Sequence, residues 1–339
     1  MPLSGPTGLL PHLPWTFAAG LMTAVVFSTA DAKPVNIIFD PPGSIQTVPQ
    51  AINASNWVVG TYYDGNAKPH GFLRMPDGTI ATVEPPGATS SNAWSITDAG
   101  MIAGEYKNAT GDHIFTQSSD GTFASYDIAG AKAISNVVVN PSGMLAGTYQ
   151  DNTNHFDGFV RAVDGTLTKI SLNSNTGVAA INADGTVAGS LSNNFGGAAY
   201  TRTADGVVTT FEVNGGQTFA SDINRAGSTT GSFWDTQDQG RNKGYVRAAD
   251  GTVKTFELAD SAVLYSEGIN DKGWAVGFYE PTSRKYQGGF LFKPKAPLKL
   301  VRIHGYKYTS FMRINASGAI VGTAATKNPS MIHGLLRTP

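Results

Sequence analysis

Val139 to Gly165, VNPSGMLAGTYQDNTNHFDGFVRAVDG, is the clearest copy of a unit that recurs along most of this 339-residue chain. Most copies contain an Ile-Asn pair or a close variant, a turn that ends in Gly, and a Gly-aromatic pair, and all seven contain a short strand with an internal Gly. A period in the forties built from strands and turns is typical of β-propeller blades. The copies begin near Ile52, Ile96, Val139, Ile181, Ile223, Ile269 and Ile314.

Each copy predicts four strands of an antiparallel meander. Asn-x-x-Gly, as in Asn182 to Gly185, predicts the turn between the first two strands, because Gly accepts a positive φ that other residues resist. Asp164-Gly165 and its equivalents predict the turn between the last two strands. The Gly inside the second strand indicates a bulge or a close backbone approach, which we place where neighbouring blades crowd together.

The two ends of the chain complete one blade between them. The seventh copy stops at Pro339, after its third strand, and Asn36 to Gly43 resembles a fourth strand without the preceding three. We therefore predict an all-β chain, a seven-bladed antiparallel β-propeller closed by this N-terminal strand and three C-terminal strands. Residues 33–339 form this single domain.

Residues 1–32 differ from the repeats. An apolar run from Trp15 to Thr29 precedes Ala30-Asp31-Ala32, the small-x-small pattern of a signal cleavage site. A membrane anchor is the competing interpretation, but the run is shorter than the roughly 20 apolar residues that cross a bilayer. We expect a signal peptide, no membrane span after its removal, and a secreted or periplasmic protein.

Composition excludes several classes of site. The chain contains no Cys, so disulfides and thiolate metal sites are impossible. The net charge is −1, which predicts no nucleic-acid partner. The sequence shows no phosphate-binding or dinucleotide fingerprint above the background of a chain with 40 Gly, and we expect neither a cofactor nor a metal.

Three segments carry a His beside a small or aliphatic residue and a large apolar one: Pro69-His70-Gly71-Phe72, Asp112-His113-Ile114-Phe115 and Ile332-His333-Gly334-Leu335. Together with the Ile-Asn and Asp-Gly elements, they resemble the bacterial extracellular HAF repeats, named after a His-Ala-Phe-like signature. The resemblance covers roughly Asn36 to Pro339. It implies an exported repeat protein and transfers no catalytic residue.

The variable connections predict where a ligand binds. In a four-stranded meander the two regular turns share one face, so the two longer connections share the other, where loops differ without harming the scaffold. Aromatic rings on such loops suit stacking against sugars or a partner's apolar surface. We expect ligand contacts from Trp234 and Tyr279 and, on an inner strand, from Trp94. Packing of each ring against its own loop is the alternative.

A second set of polar residues interrupts the apolar inner strands. Asp222, Glu267 and Arg313 fall in consecutive blades, and carboxyl groups beside an Arg at a channel mouth suit acid–base work on a sugar. A buried ion pair is the structural alternative. The four His of the first, second, third and seventh blades are not expected to share a metal, because neighbouring blades lie about 10 Å apart.

The sequence is compatible with two functions. The first is an exported, monomeric binding or scaffold propeller whose partner is a glycan or an envelope protein. The second is a carbohydrate-active lyase or hydrolase that acts at the channel mouth through Asp222, Glu267, Arg313 or a loop His.

Overall fold

The computed structural model describes residues 33–193, 196–238, 241–326 and 331–339. Throughout these ranges the chain forms only strands, turns and irregular segments. The same ranges contain no helix that is long and apolar enough to cross a membrane. The predicted signal peptide, residues 1–32, lies outside the described residues.

The strands are short, as the closely spaced turn signals of the sequence require. The first fourteen are β1 (Val35–Phe39), β2 (Ser44–Ile52), β3 (Val58–Asp64), β4 (Pro69–Arg74), β5 (Ile80–Val83), β6 (Ser90–Ile96), β7 (Ile102–Asn108), β8 (Gly111–Gln117), β9 (Phe123–Tyr126), β10 (Ala131–Val139), β11 (Leu145–Asp151), β12 (Phe156–Arg161), β13 (Leu167–Ile170) and β14 (Asn175–Ile181). The remaining ones are β15 (Val187–Asn193), β16 (Gly196–Arg202), β17 (Val208–Phe211), β18 (Thr218–Ile223), β19 (Thr229–Asp235), β20 (Arg241–Arg247), β21 (Val253–Phe256), β22 (Ser261–Ile269), β23 (Ala275–Pro281), β24 (Gly288–Phe292), β25 (Lys299–Val301), β26 (Tyr308–Ile314), β27 (Ile320–Ala325) and β28 (Ile332–Thr338).

Most sheets are antiparallel meanders of four strands. These are β6–β9, β10–β13, β14–β17, β18–β21 and β22–β25, and in each of them the strands pair in chain order. The other eight strands form one sheet, in which β26–β28 and β1 join β2–β5. Consecutive strands run in opposite directions, so the regular turns of a sheet lie at one end of its strands. The longer connections lie at the opposite end, which we call the variable-loop face.

The first and last strands of the chain pair with each other. β1 lies antiparallel to β28, from Val35 opposite Thr338 to Phe39 opposite Gly334. This is the pairing that the sequence predicts for the fragment Asn36 to Gly43. A single parallel bridge also links β28 to β2.

One large side chain from each third strand fills the interior. It is the second residue of the Gly-aromatic pair, or of the variant that replaces this pair. In every copy it is at most 1% exposed: Phe72, Phe115, Phe159, Tyr200, Tyr245, Phe290 and Leu335. Burying a side chain of this size contributes roughly 1.5–3 kcal/mol to folding. The repeated pair therefore builds the core, as the sequence interpretation requires.

The recurring Gly of each second strand lies where neighbouring atoms leave no room for a side chain. At Gly189 a Cβ atom would lie 2.0 Å from the carbonyl oxygen of Gly177 and 2.7 Å from Cε1 of Tyr200. Both neighbours belong to the same sheet, so the close approach is within one sheet and not between neighbouring sheets, where the sequence interpretation placed it. Its cause is a β-bulge, since the inner strand shifts register between Val178 and Ala180.

Buried Asn side chains link the regular turns of successive sheets. Oδ1 of Asn182 accepts hydrogen bonds from the backbone N of Asp184 and Thr186, which caps its own turn as expected. Nδ2 of the same side chain donates to the carbonyl oxygen of Asn224 in the next copy, at 3.4 Å. Equivalent bonds of 2.9–3.2 Å run from Asn53 to Thr97, Asn140 to Asn182, Asn224 to Asn270, Asn270 to Asn315, and Asn315 to Asn53.

Candidate ligand-binding site

A cavity of about 1030 Å³ opens on the variable-loop face, beside the β22–β25 sheet and strands β26–β28. Its walls are the connection between β23 and β24 and the connection between β25 and β26. The Lys, Arg, His and Tyr side chains of the lining are Lys285, Tyr286, Arg302, His304, Tyr306 and Lys307. We call this cavity the Arg302 pocket. It lies on the face where the sequence predicts a ligand site.

Backbone hydrogen bonds hold the two walls of the Arg302 pocket together. The N–H of Gln287 donates to the carbonyl of Lys307 at 3.1 Å, and the N–H of Thr309 donates back to the carbonyl of Gln287 at 3.1 Å. The N–H of Lys307 donates to the carbonyl of Ala325 at 2.9 Å. The pocket is therefore formed in advance, and a ligand does not have to order it.

Aromatic contacts orient the guanidinium group of Arg302. Its central carbon lies 4.0 Å from the centre of the Tyr286 ring, a cation–π distance. Tyr286 meets Tyr279 edge to face, with ring centres 6.2 Å apart. Burial raises the pKa of the Tyr279 hydroxyl to about 12, and the Tyr286 hydroxyl adds to the rise. Arg302 itself is exposed, so its N–H edge is available to a carboxylate or a similar group.

Acidic side chains do not neutralise the Arg302 pocket. Among the described residues, no carboxylate forms an ion pair with Lys285, Arg302 or Lys307. Nζ of Lys307 donates instead to the hydroxyl of Tyr308, at 2.8 Å. The pocket therefore presents unpaired positive charge to solvent, and an anion entering it would not have to displace an internal partner.

The sequence carries a signal for this pocket that a whole-chain charge count hides. Glu280 is the last acidic residue, and residues 281–339 contain no Asp or Glu. The same stretch holds ten of the 24 Lys and Arg residues: Arg284, Lys285, Lys293, Lys295, Lys299, Arg302, Lys307, Arg313, Lys327 and Arg337. Counting charges repeat by repeat would have found this basic segment.

Trp234 lies near a different cavity. Its side chain is 46% exposed at the end of β19, and its backbone N–H donates to the carbonyl of Gln217 at 2.8 Å. Gln217 borders a cavity of about 380 Å³ that also contacts Leu172, Leu191 and Glu212. The structure therefore places the predicted Trp234 contact on the variable-loop face and outside the lining of the Arg302 pocket.

The other two predicted aromatic contacts are less accessible. Tyr279 is 4% exposed, and its ring packs edge to face with the ring of Tyr286. Trp94 is half-buried, is the extra residue of the bulge in β6, and its Nε1 makes no hydrogen bond with the described residues. Beside it, burial raises the pKa of the Glu105 carboxyl to about 8, and the Trp94 and Asn92 side chains oppose the rise.

The structure brings Asp222, Glu267 and Arg313 into one sector of the fold. Two of these side chains, those of Asp222 and Arg313, form hydrogen bonds with backbone groups. The Asp222 carboxylate accepts from the N–H of Ile223 and, in the next sheet, from the N–H of Ile269, both at 2.9 Å. Nη1 of Arg313 donates to the carbonyl of Glu267 at 2.8 Å. Burial raises the pKa of both carboxyl groups, and Arg313 lowers each in part without a direct ion pair.

The His residues pair with acids of their own sheets. Nδ1 of His70 lies 3.1 Å from Glu84 Oε2, and His113 makes the same kind of contact with Asp127. The acids that follow these fourth strands thus serve as partners for third-strand His side chains, a role beyond the protection of an open sheet edge. Within the described ranges, no three His, Asp or Glu side chains converge as metal ligands do.

Comparison with known proteins places the fold among propellers. No protein-family model and no curated protein sequence matches the chain. A catalytically inactive virginiamycin B lyase from Staphylococcus aureus superposes with a TM-score of 0.61 at 12% identity, over 91% of this chain and 100% of the lyase. A puromycin hydrolase superposes with a TM-score of 0.60 at 12% identity, over 85% of this chain and 52% of the hydrolase. These likenesses show a β-propeller-like fold.

Proposed function

We propose that this chain is a seven-bladed β-propeller of HAF-type repeats that binds a glycan on its variable-loop face and performs no catalysis. Seven blades are obtained when the eight-stranded sheet is divided into β2–β5 and β26–β28 with β1. The hydrogen bond from Asn315 to Asn53 supports a closed ring, because it joins the last copy to the first. The repeated His70 and His113 segments support the HAF assignment.

The observation that carries the proposed binding function is the Arg302 pocket. It is concave and built on bonded backbone, and two half-buried tyrosines, Tyr286 and Tyr306, line it beside several polar groups. Aromatic faces stack on the C–H surfaces of sugars, while the surrounding donors suit hydroxyl groups. An envelope protein with exposed sugars is the partner class that this chemistry favours.

A glycan array probed with residues 33–339, the chain expected after signal removal, tests the proposal. Wild-type protein should bind at least one class of glycan, and Tyr286→Ala should weaken that binding at least tenfold. Tyr63→Ala removes a half-buried ring of β3 that does not line the pocket and should leave binding unchanged. Absence of binding by the wild type to every glycan would overturn the proposal.

A carbohydrate-active lyase or hydrolase at the channel mouth remains the second candidate. The observation that favours it is the raised pKa of the Glu267 carboxyl, which burial causes and which suits a general acid. Turnover of an oligosaccharide that Glu267→Gln abolishes would establish it. Both oxygens of Asp222 face backbone N–H groups, which supports a structural role for that residue.

Export and a monomeric state complete the proposal. The apolar run from Trp15 to Thr29, followed by Ala30-Asp31-Ala32, supports signal cleavage before Lys33 and a periplasmic or secreted location. N-terminal sequencing of protein recovered from the periplasm and the medium checks the cleavage site. Light scattering at micromolar concentration checks the monomer.

A further inference from the structure

We infer that the glycan bound in the Arg302 pocket is acidic, and that its carboxylate or sulfate group pairs with Arg302, Lys285 and Lys307. This inference rests on the proposed glycan-binding function and names the ligand class. The three cations line one cavity, and no carboxylate of the described residues pairs with them.

The orientation of Arg302 favours a planar anion. The central carbon of its guanidinium group lies 4.0 Å from the centre of the Tyr286 ring, so this contact holds the group over the ring before a ligand arrives. A guanidinium edge matches the two oxygens of a carboxylate or sulfate and forms paired, charge-assisted hydrogen bonds. Lys285 is exposed at the rim and can follow the anion as a mobile point charge.

The shape of the site favours a saccharide over a nucleic acid. The positive charge lines a cavity of about 1030 Å³, large enough for a few sugar rings. Duplex nucleic acids are held by rows of roughly 6–10 phosphate contacts along an open surface, whereas here three cations converge on one concavity. Tyr306 offers the sugar a ring to stack upon, and Tyr286 carries the Arg302 guanidinium group that holds the acidic group of the sugar.

The lining of the pocket comes entirely from residues 281–339, a stretch that contains no acid. Asp260 lies outside the lining, in a neighbouring cavity that it shares with Tyr286. Acidic residues are confined to residues before 281. Binding should therefore weaken with salt, as expected for exposed ion pairs.

Isothermal titration of the chain after signal removal with three polymers tests the inference. Polygalacturonate supplies carboxylates, dextran sulfate supplies sulfates, and unmodified dextran is the neutral probe. We expect binding of one or both acidic polymers, at least tenfold weakened in Arg302→Gln and in Lys285→Gln. Lys254→Gln removes an exposed positive charge from another sheet and should change the affinity by less than about twofold.

The outcomes separate this inference from the proposed function. Binding of dextran or other neutral glycans with no preference for the acidic polymers would overturn the acidic ligand and leave glycan binding intact. Binding of the acidic polymers that Arg302→Gln does not weaken would also overturn it, since the anion would then lie elsewhere. Equal or tighter binding of a DNA duplex, lost in Arg302→Gln, would replace the saccharide with a nucleic acid. Failure to bind any glycan would overturn both conclusions.

Discussion

Nδ2 of Asn315 donates to the backbone carbonyl of Asn53 at 2.9 Å, across 262 positions of the sequence. Oδ1 of the same side chain accepts from the N–H of Ala319, also at 2.9 Å, so one amide caps its own turn and holds the first repeat. One buried side chain thus joins the last repeat to the first, in addition to the pairing of β28 with β1 and β2. An Asn is suited to both tasks because its amide carries an acceptor and a donor.

Asn315→Asp should separate these two roles. The carboxylate still accepts from the turn, but it has no N–H for the carbonyl of Asn53 and places a negative charge beside that oxygen. We expect a loss of about 1–3 kcal/mol in the free energy of unfolding, measured with urea at pH 7. Asn152→Asp makes the same change in an exposed turn and should cost less than about 0.5 kcal/mol. Equal losses would show that the link between the repeats contributes nothing.

Deleting residues 36–43 should abolish cooperative unfolding. The deletion removes β1, leaves the edge of β28 without a partner, and uncovers the core around Phe39, which is 8% exposed. Thermal melting followed by circular dichroism measures the effect on the chain after signal removal. Removing only Lys33 and Pro34, which precede β1, is the control and should leave the melting temperature unchanged. A cooperative melt at the wild-type temperature after the longer deletion would refute the pairing.

Gly189→Ala should destabilise the chain by about 1–3 kcal/mol or more, because the new methyl group would lie 2.0 Å from a carbonyl oxygen. Relief requires the bulged inner strand and the Tyr200 ring both to move away from residue 189. Gly65 has no atom within 4 Å of an added Cβ, so Gly65→Ala should stay within about 0.5 kcal/mol of the wild type. Urea denaturation of the two variants side by side decides the point. Similar stabilities would mean that the second-strand Gly is not a packing requirement.

Glu105 should make the stability of the chain fall as the pH rises. Its carboxyl has a pKa of about 8 in the folded chain, raised by burial from 4.5. Between these two values the native state holds a proton that the unfolded state has released, so the free energy of unfolding decreases with increasing pH. Above about pH 8 the loss is complete, because both states are then ionised.

Glu105→Gln removes this proton and should flatten the pH dependence between about 4.5 and 8. Urea denaturation at pH 5, 7 and 9 measures it. Some slope should remain, because burial also raises the pKa values of Asp222 and Glu267. A slope identical to that of the wild type would show that Glu105 is ionised in the native state at neutral pH.

The local features of the repeat were predictable from the sequence alone. Turn residues such as Asn182 and Gly185, the Gly-aromatic pairs and the Asp-Gly pairs report conformations within a few residues of themselves, so a single chain reveals them. The resemblance of Asn36 to Gly43 to a fourth strand likewise predicted the partner of the first strand. Repetition strengthened each of these signals, since most of the seven copies show the same pattern.

The contacts between repeats could not be read in the same way. Nothing in the neighbourhood of Asn315 indicates that its amide reaches Asn53, because that bond depends on how the sheets are arranged. The same limit applied to the pairing of His70 with Glu84, which an alternating strand pattern does not specify. Side-chain partners across strands follow from register, and register is a property of the folded sheet.

The sequence by itself determined the period, the strand order, the turn chemistry and the excess of positive charge after Glu280, because each is encoded locally or in composition. Only the tertiary structure decided that Lys285, Arg302 and Lys307 line one pocket, since two connections and the backbone bonds between them bring these residues together. It also decided that both carboxylate oxygens of Asp222 accept hydrogen bonds from backbone N–H groups, one of which belongs to the next sheet. Convergence in space depends on packing between repeats, and packing has no local signature.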